Sequence, residues 1–392
     1  MILDADYFDY LSWLYSHHPG LEKQPYDEQM RVRNESLFGT GGFYSSNLRN
    51  LGLEAYDIYT NNEFMQKAWA REHGLKVKDN SKLRQQYTNI FQRGISIAAR
   101  TPLRRLRPLV RPVLKSLGSQ DPWLYDILAA QIKYSKPDIL LNHSMNSISS
   151  QFLREMKPHV RFLMGQHAAT KLSEENDYSS YDLILSSFPP TLDWFRHKGI
   201  PAEMIRLGFE PKVLSYLKPE DRTFGVTFLG SFFAGIHSSR AALLESLCDR
   251  IEEIRVWGTG IDQLSLTSPI RRCYMGQAWG REMFQILRKS KITLNHHGDI
   301  APYANNMRLY EATGVGTLLI TDWKENLYEM FEPGKEVVGY KSPEECLELI
   351  QYYLGHNEER ETIADAGQAR TLKEHTYYQR MQELVAIVRK YL

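Results

Sequence analysis

Residues 292–322 read ITLNHHGDIAPYANNMRLYEATGVGTLLITD, and this stretch decides the fold. The apolar run at 292–294 predicts a strand that empties into a polar loop holding Asn295, His296, His297 and Asp299. A short helix is expected next, with Asn305, Arg308 and Glu311 spaced three apart and so sharing one face. Gly314 and Gly316 end it, and a second apolar strand begins at 318–320. Strand, polar loop, short helix, glycine turn and strand make one βαβ unit. In such units ligands bind outside the carboxyl ends of the strands, where loops and helix N-termini present donors to phosphate. A helix that merely covered a sheet would have little use for two Asn, an Arg and a Glu, so the segment reads as a site.

The flanking sequence repeats the alternation of strand and helix. The first 35 residues read as helix, with Tyr7, Leu11, Leu14 and Tyr15 at helical spacing. Residues 36–61 predict a glycine turn, an amphipathic helix with Leu48 and Leu51, and a strand at 55–59; 62–73 returns to helix. Four further strands are expected at 136–142, 160–164, 182–186 and 204–207, which completes one Rossmann-like domain. The segment from Gly208 to the Lys218-Pro-Glu-Asp turn reads as a linker. Beyond it come strands at 223–229 and 253–257, helices at 238–251 and 285–290, and the unit quoted above. A helix at 326–331 and a strand at 336–339 follow. Ser342 is the expected N-cap of the next helix, with Pro343 in its first turn and Glu345 completing a capping box. Helices at 358–371 and 375–392 close the chain. Strands alternating with helices mean α/β domains with parallel sheets and helical crossovers. The expected domains are 1–215 and 220–374.

A chain of 392 residues is long for one core, so two domains are the default. Its 42% apolar and 24% charged residues are ordinary for a globular protein, and a net charge of +1 gives no field for nucleic acid. The three cysteines, Cys248, Cys273 and Cys346, have no paired spacing, which argues against a disulfide framework or zinc knuckle and for a reduced, cytoplasmic compartment. The acidic N-terminus lacks the basic region of a secretory signal. No apolar run approaches the roughly 18 residues of a membrane span. One segment stands apart: from Arg93 to Lys115 there are seven basic residues and no acidic one, with Pro102, Pro108 and Pro112 preventing a continuous helix. It reads either as a solvated loop or, over residues 100–115, as a basic surface for peripheral contact with anionic lipid or an anionic acceptor.

In this order the motifs resemble the glycosyltransferases of the GT-B architecture, specifically the CgeB-like (spore-protein-like) group of bacterial transferases. The resemblance rests on VTFLGS at 226–231 followed by Arg240, on VWG at 256–258, and on KITLN at 291–295. It continues in Asn306-x-Arg308-x-x-Glu311-Ala-x-Gly314-x-Gly316, in FEPGKE at 331–336 and in His375-Thr-Tyr-x-x-Arg380. In the first half Phe38-Gly39 through Leu51-Gly52, Asn61-Asn62 and Gln66-x-x-Trp69 also fit, and residues 75–135 are the least family-like. The resemblance implies two Rossmann-like, doubly wound parallel-sheet domains facing a cleft. The second domain would hold a nucleoside-diphosphate sugar and the first an acceptor, with the last helix, 375–392, crossing back to the first domain. Neither a metal nor a cofactor beyond the donor substrate would be needed.

Glycosyl transfer breaks the bond between C1 and the departing diphosphate while an acceptor hydroxyl attacks, so it needs positive potential at the phosphates and hydrogen bonds around the sugar. By the resemblance, Glu311 accepts hydrogen bonds from the ribose hydroxyls. Arg308 is a candidate phosphate cation, or simply the ion-pair partner of Glu311. Asn305 and Asn306, expected in the helix's first turn, would hold phosphate or sugar or cap the helix. Asn295 lies at the end of the preceding strand. Gly230 and Ser231 end the second domain's first strand, where a missing side chain lets backbone approach a diphosphate. His237 and Arg240 follow as weaker phosphate candidates. Tyr274, Met275 and Gly276 border the nucleobase by analogy alone. His167 and His143, each ending a first-domain strand, are the candidates for general base toward the acceptor. Adjacent His296 and His297 are poor joint ligands, and no metal site is expected.

The pattern departs from the family at one position. Many retaining relatives carry a glutamate eight residues before the one matching Glu311, and here that residue is Tyr303. Retention at the anomeric carbon therefore does not carry over. The leading expectation is a sugar-nucleotide-dependent glycosyltransferase acting on a bacterial surface glycan or a small acceptor. The alternatives are a sugar-nucleotide epimerase of the same fold and a non-catalytic carbohydrate- or nucleotide-binding coat protein.

Overall fold

Leu140, Leu163 and Ile184 are buried on one face of neighbouring strands, and Leu141, Met164 and Leu185 are buried on the other. Strands apolar on both faces belong to a parallel sheet covered by helices on each side. The computed structural model, which describes residues 1–77, 122–168, 172–174, 176–232, 237–299 and 302–392, contains two such sheets. The basic run at 93–115 lies outside the described residues.

The first half contributes β1 (Ile2–Asp4), α1 (Phe8–His17), α2 (Tyr26–Glu35), α3 (Phe43–Asn50), β2 (Asp57–Tyr59), α4 (Glu63–Glu72), α5 (Pro122–Ser135), β3 (Ile139–Asn142), α6 (Ser150–Met156), β4 (Phe162–Gln166), β5 (Leu183–Ser186), α7 (Pro189–His197) and β6 (Ala202–Met204). The second contributes β7 (Phe224–Leu229), α8 (Ser238–Arg250), β8 (Ile254–Trp257), α9 (Ile270–Cys273), α10 (Arg281–Arg288), β9 (Ser290–Asn295), α11 (Arg308–Gly314), β10 (Leu318–Asp322), β11 (Val338–Tyr340), α12 (Pro343–Gly355), α13 (Asn357–Glu374) and α14 (Tyr377–Val388). The sheet orders are β2-β1-β3-β4-β5-β6 and β11-β10-β9-β7-β8, and every pairing is parallel. Among the described residues no helix is long and apolar enough to cross a membrane.

Several expectations are corrected. The first 35 residues are not all helix: Ile2-Leu3-Asp4 form β1, which pairs with β2 on one side and β3 on the other. Three residues are too few to show a period, and their strand character comes from the two neighbours. The first sheet therefore has six strands. The buried positions of α1 are Tyr10 and Leu14, whereas Tyr7 is 67% exposed. A 3-10 turn, Leu327–Glu329, replaces the helix expected at 326–331. Ser342 caps α12 through the Glu345 N–H at 3.1 Å, but the Glu345 carboxylate accepts from the Lys341 N–H at 2.6 Å, so the box does not close. The last helix starts only at Tyr377, behind a Thr376–Gln379 capping box.

The linker is a buried pivot. Phe209 and Val213 are buried, and the Glu210 carboxylate accepts from Asn47 Nδ2 of α3 at 2.6 Å. The Phe209 N–H donates to the His375 carbonyl at 2.8 Å, and the Phe209 carbonyl accepts from the Tyr377 N–H at 2.9 Å. The outgoing and returning chains thus run side by side, and α14 packs back on α3. One continuous core follows, from Leu141 and Met164 through Phe209 and Met381 to Leu309, Ala312 and Leu319.

At the centre of this core the Phe209 ring lies on Gly314, where an added Cβ would stand 2.4 Å from the ring. Gly314→Ala should destabilise the protein by about 1–3 kcal/mol, the cost of overpacking, read as a fall in the midpoint of chemical denaturation. His375 predicts a pH dependence. Its Nε2 donates to the Met330 carbonyl and its Nδ1 accepts from Arg380 Nη2 at 2.7 Å, which fixes the neutral ring. Burial pushes its pKa down to about 4. The unfolded chain then binds the extra proton first, so stability should fall as pH drops from about 6.5 to about 4, by up to roughly 3 kcal/mol. His375→Gln should flatten that part of the stability–pH curve.

Candidate active site between the two sheets

Parallel pairing puts the carboxyl ends of all strands of a sheet on one rim, and each rim here carries the polar residues. On the second sheet, Asn295 ends β9 and is 4% exposed. Its Nδ2 donates to Thr321 Oγ1 of β10 at 2.9 Å, and its Oδ1 accepts from Asn306 Nδ2 at 2.7 Å. Asn305 reaches the other way: its Oδ1 accepts from Ser187 Oγ at the end of β5, and its Nδ2 donates to the Ala168 carbonyl after β4. Neither Asn is in the first turn of α11, which begins at Arg308 with Met307 as N-cap. Both amides are instead spent on the strand ends, a competition short polar side chains often win over helix.

Arg308 and Glu311 are both largely buried and form an ion pair at 2.8 Å. Arg308 Nη2 also donates to the Leu229 carbonyl at 3.3 Å, at the end of β7. Arg308 Nε is buried with no hydrogen-bond partner among the described residues. Burial raises the Glu311 pKa, and the guanidinium of Arg308 opposes that rise. A guanidinium with a spare donor and a carboxylate that prefers company are thus held side by side where β7 and β9 end.

The adjoining loops are built by close backbone approach. Gly230 follows β7, and a Cβ on Gly258 after β8 would stand 1.6 Å from the Gly230 carbonyl oxygen, so only glycine fits there. Arg240 of α8 donates through Nε and Nη2 to the His296 carbonyl at 3.1 and 2.6 Å, and through Nη1 to the Ser231 carbonyl at 3.0 Å. Burial brings its pKa down to about 10. Three of its donors tie the loops after β7 and β9 together, so it braces the rim. His237 precedes α8 at the N-cap position. Tyr274, Met275 and Gly276 run beside β8: Met275 N–H donates to the Val256 carbonyl, Gly258 N–H to the Gly276 carbonyl, and Tyr274 OH to the Gly258 carbonyl. They flank the sheet edge, with Met275 53% exposed.

The two adjacent histidines serve separate networks. His296 lies between Ser239 Oγ at 2.9 Å and Tyr340 OH at 2.8 Å. His297 Nδ1 and its N–H both donate to Asp322 at the end of β10, at 2.6 and 2.9 Å. Burial opposes ionisation of Asp322, but these bonds and Lys324 at 3.1 Å hold its carboxyl well below the usual range. Among the described residues no three His, Cys, Asp or Glu are grouped to hold a metal ion.

On the first sheet the rim carries Asp4, His143 and His167. Asp4 ends β1 and stands 3.7 Å from His143 Nδ1, which follows β3; Thr40 Oγ1 donates to it at 2.9 Å. Burial works against the Asp4 charge, yet His143, Arg33 and Thr40 hold its pKa down to about 2. His143 is packed edge-on to Tyr44, and its Nε2 is buried without a partner among the described residues. His167 follows β4, its N–H donating to the Leu185 carbonyl, and is half-buried. The next carbonyl, Ala168, is the one that Asn305 grips. The structure thus gathers Gly230, Ser231, Asn295, Asn305, Asn306, Arg308 and Glu311 on one rim and brings His167 to it, whereas His143 turns toward Asp4. Between the rims lies a narrow crevice of about 50 Å³ lined by Ser187, Tyr303, Asn306 and Tyr310, and the Arg206–Glu329 ion pair flanks it at 2.5 Å. Sequence reasoning missed Asp4, Ser187 and the His297–Asp322 pair. Asp4 had a signal, as the polar residue ending an apolar dipeptide, but the strand was too short to register.

The comparisons fit this geometry. Residues 240–386, which run from α8 into α14, match the family model described as "Glycosyl transferase-like". No curated protein matches the chain. Among solved structures, Anabaena Alr3699/HepE in complex with UDP-glucose is similar at 14% identity with a TM-score of 0.51, covering 70% of this chain and 84% of that one. A glycosyltransferase from Rickettsia africae ESF-5 is similar at 11% identity with a TM-score of 0.56, covering 100% of this chain and 98% of that one. At such identities the likeness speaks for the fold. The chain has the two-domain, parallel-sheet architecture seen in GT-B glycosyltransferases, and within it residues 240–386 match the glycosyl transferase-like model.

Proposed function

We propose that the protein transfers a sugar from a nucleoside-diphosphate sugar to an acceptor hydroxyl, with the donor on the second rim and the acceptor on the first. The observation that carries this is the buried Arg308–Glu311 pair, with an unsatisfied guanidinium Nε, at the start of a short helix that faces the other domain's strand ends. Support also comes from the glycosyl transferase-like match over 240–386 and from a fold shared with a protein solved with UDP-glucose. The order of motifs from Gly230 to Arg380 favours the CgeB-like group within this class.

In this reading the acceptor oxygen attacks C1, the bond to the diphosphate breaks, and the diphosphate leaves with the electron pair. Glu311 accepts hydrogen bonds from the ribose hydroxyls. Arg308, through its Nε, and the Ser231 backbone N–H meet the developing phosphate charge, the task for which preorganised donors are most effective, while Asn305 and Asn306 hold the loop that leads into the site helix. His167 takes the acceptor proton. Arg240, His237 and Asn295 hold the loops in register, and Tyr274 to Gly276 border the base. In this reading transfer proceeds without a metal or a cofactor beyond the donor substrate, and the protein acts in the cytoplasm. Glycans or small hydroxylated molecules are the acceptors.

A thermal-shift series with UDP, GDP, CDP, TDP and their sugar conjugates tests the donor site. One base should raise the melting temperature, by the equivalent of about 2.7 kcal/mol at a hundred times its Kd. Glu311→Ala and the volume-conserving Glu311→Gln should both lose most of that shift. If no nucleotide moves the folded wild type, the reading fails. With the donor identified, His167→Ala should lower kcat by roughly 10²–10⁴-fold, the span of general-base catalysis, while donor affinity stays put. An unchanged kcat would remove His167 from the mechanism.

A further inference from the structure

A second cavity borders β2, one of the two edge strands of the first sheet, and none of its lining residues belongs to the second domain. Its volume is about 370 Å³, bounded by α2, α3, α4, α5 and β2. That falls in the range typical of small-molecule sites.

Its chemistry is specific. Gln131 of α5 is 1% exposed, yet neither its Oε1 nor its Nε2 has a hydrogen-bond partner among the described residues. A carboxamide carries two donors and an acceptor, and leaving them unmet inside a protein is costly. Gln131 is one of the residues that line the cavity. Asp57, at the start of β2, lines it too; it accepts from Ser45 Oγ, and burial raises its pKa. Exposed Arg49 stands at the wall, with Nη1 donating to the Ala55 carbonyl at 2.5 Å. Trp69 and Tyr134, edge-to-face at 6.2 Å, supply aromatic surface, and Tyr134 is 71% exposed.

Three classes of ligand can be weighed. An apolar ligand would leave Gln131 unpaired, and a phosphate would meet the Asp57 carboxylate. A sugar ring satisfies both demands: its hydroxyls donate and accept at once, and its C–H face lies flat on aromatic rings. We propose that this cavity is a carbohydrate-binding site separate from the cleft, taking a neutral saccharide with its hydroxyls on Gln131 and Asp57 and its apolar face on Trp69 or Tyr134. Nothing in it depends on the cleft being a transferase site.

Saturation-transfer NMR on the full chain with four neutral disaccharides (maltose, cellobiose, lactose and N,N′-diacetylchitobiose) tests this. At least one should bind the wild type, and its dissociation constant should rise at least tenfold in Gln131→Leu. Tyr134→Ala, a change at an exposed residue of the cavity wall, should weaken the same saccharide at least threefold. Absence of binding by all four, or binding undiminished in these variants, overturns the proposal.

Discussion

The Phe209 ring resting on the bare Cα of Gly314 is the contact on which the rest depends. It is made by the segment joining the two sheets and by the last residue of the helix that carries Arg308 and Glu311. The same segment is gripped by the returning chain at His375 and Tyr377. Pivot, site helix and return crossing therefore share one small volume, and a side chain as small as methyl on residue 314 would press them apart. A packed interior transmits such a shift rather than absorbing it.

That arrangement explains why the rims meet as they do. With the pivot buried, the two sheets present their carboxyl ends to each other, and short polar side chains can bridge between them. Asn305 reaches two first-domain strand ends, while its neighbour Asn306 fastens to Asn295 on its own sheet. Arg240 meanwhile spends its fork on backbone carbonyls. The residues group by what they touch: some brace loops, some join domains, and Arg308 and Glu311 hold each other with donor capacity in reserve.

Buried polar groups separate structure from function in the first domain as well. Arg33 and Asp6 are deeply buried, paired and bonded on several sides, with Tyr59 under the guanidinium, and so read as scaffold. Gln131 is as deeply buried and its amide has no partner among the described residues, beside an open cavity. The physical contrast is satisfaction of hydrogen-bonding capacity, not burial.

The amino-acid sequence by itself determined the class of fold. Apolar runs ending in Gly or polar residues, such as 226–231 and 292–297, carry strand and loop in a few residues because a strand buried on both faces needs little else. The glycines at 230, 314 and 316 were legible for the same local reason. Only the tertiary structure decided what lacked a local period or depended on a distant partner. Ile2-Leu3-Asp4 is a strand because two others flank it. Asn305 leaves the helix because Ser187 and Ala168 lie opposite. Asp4 and His143 come together because β1 and β3 are neighbours, though 139 positions apart in the chain. Side-chain chemistry is written locally, but which groups meet is set by the order of strands in a sheet, and no window of sequence contains that order.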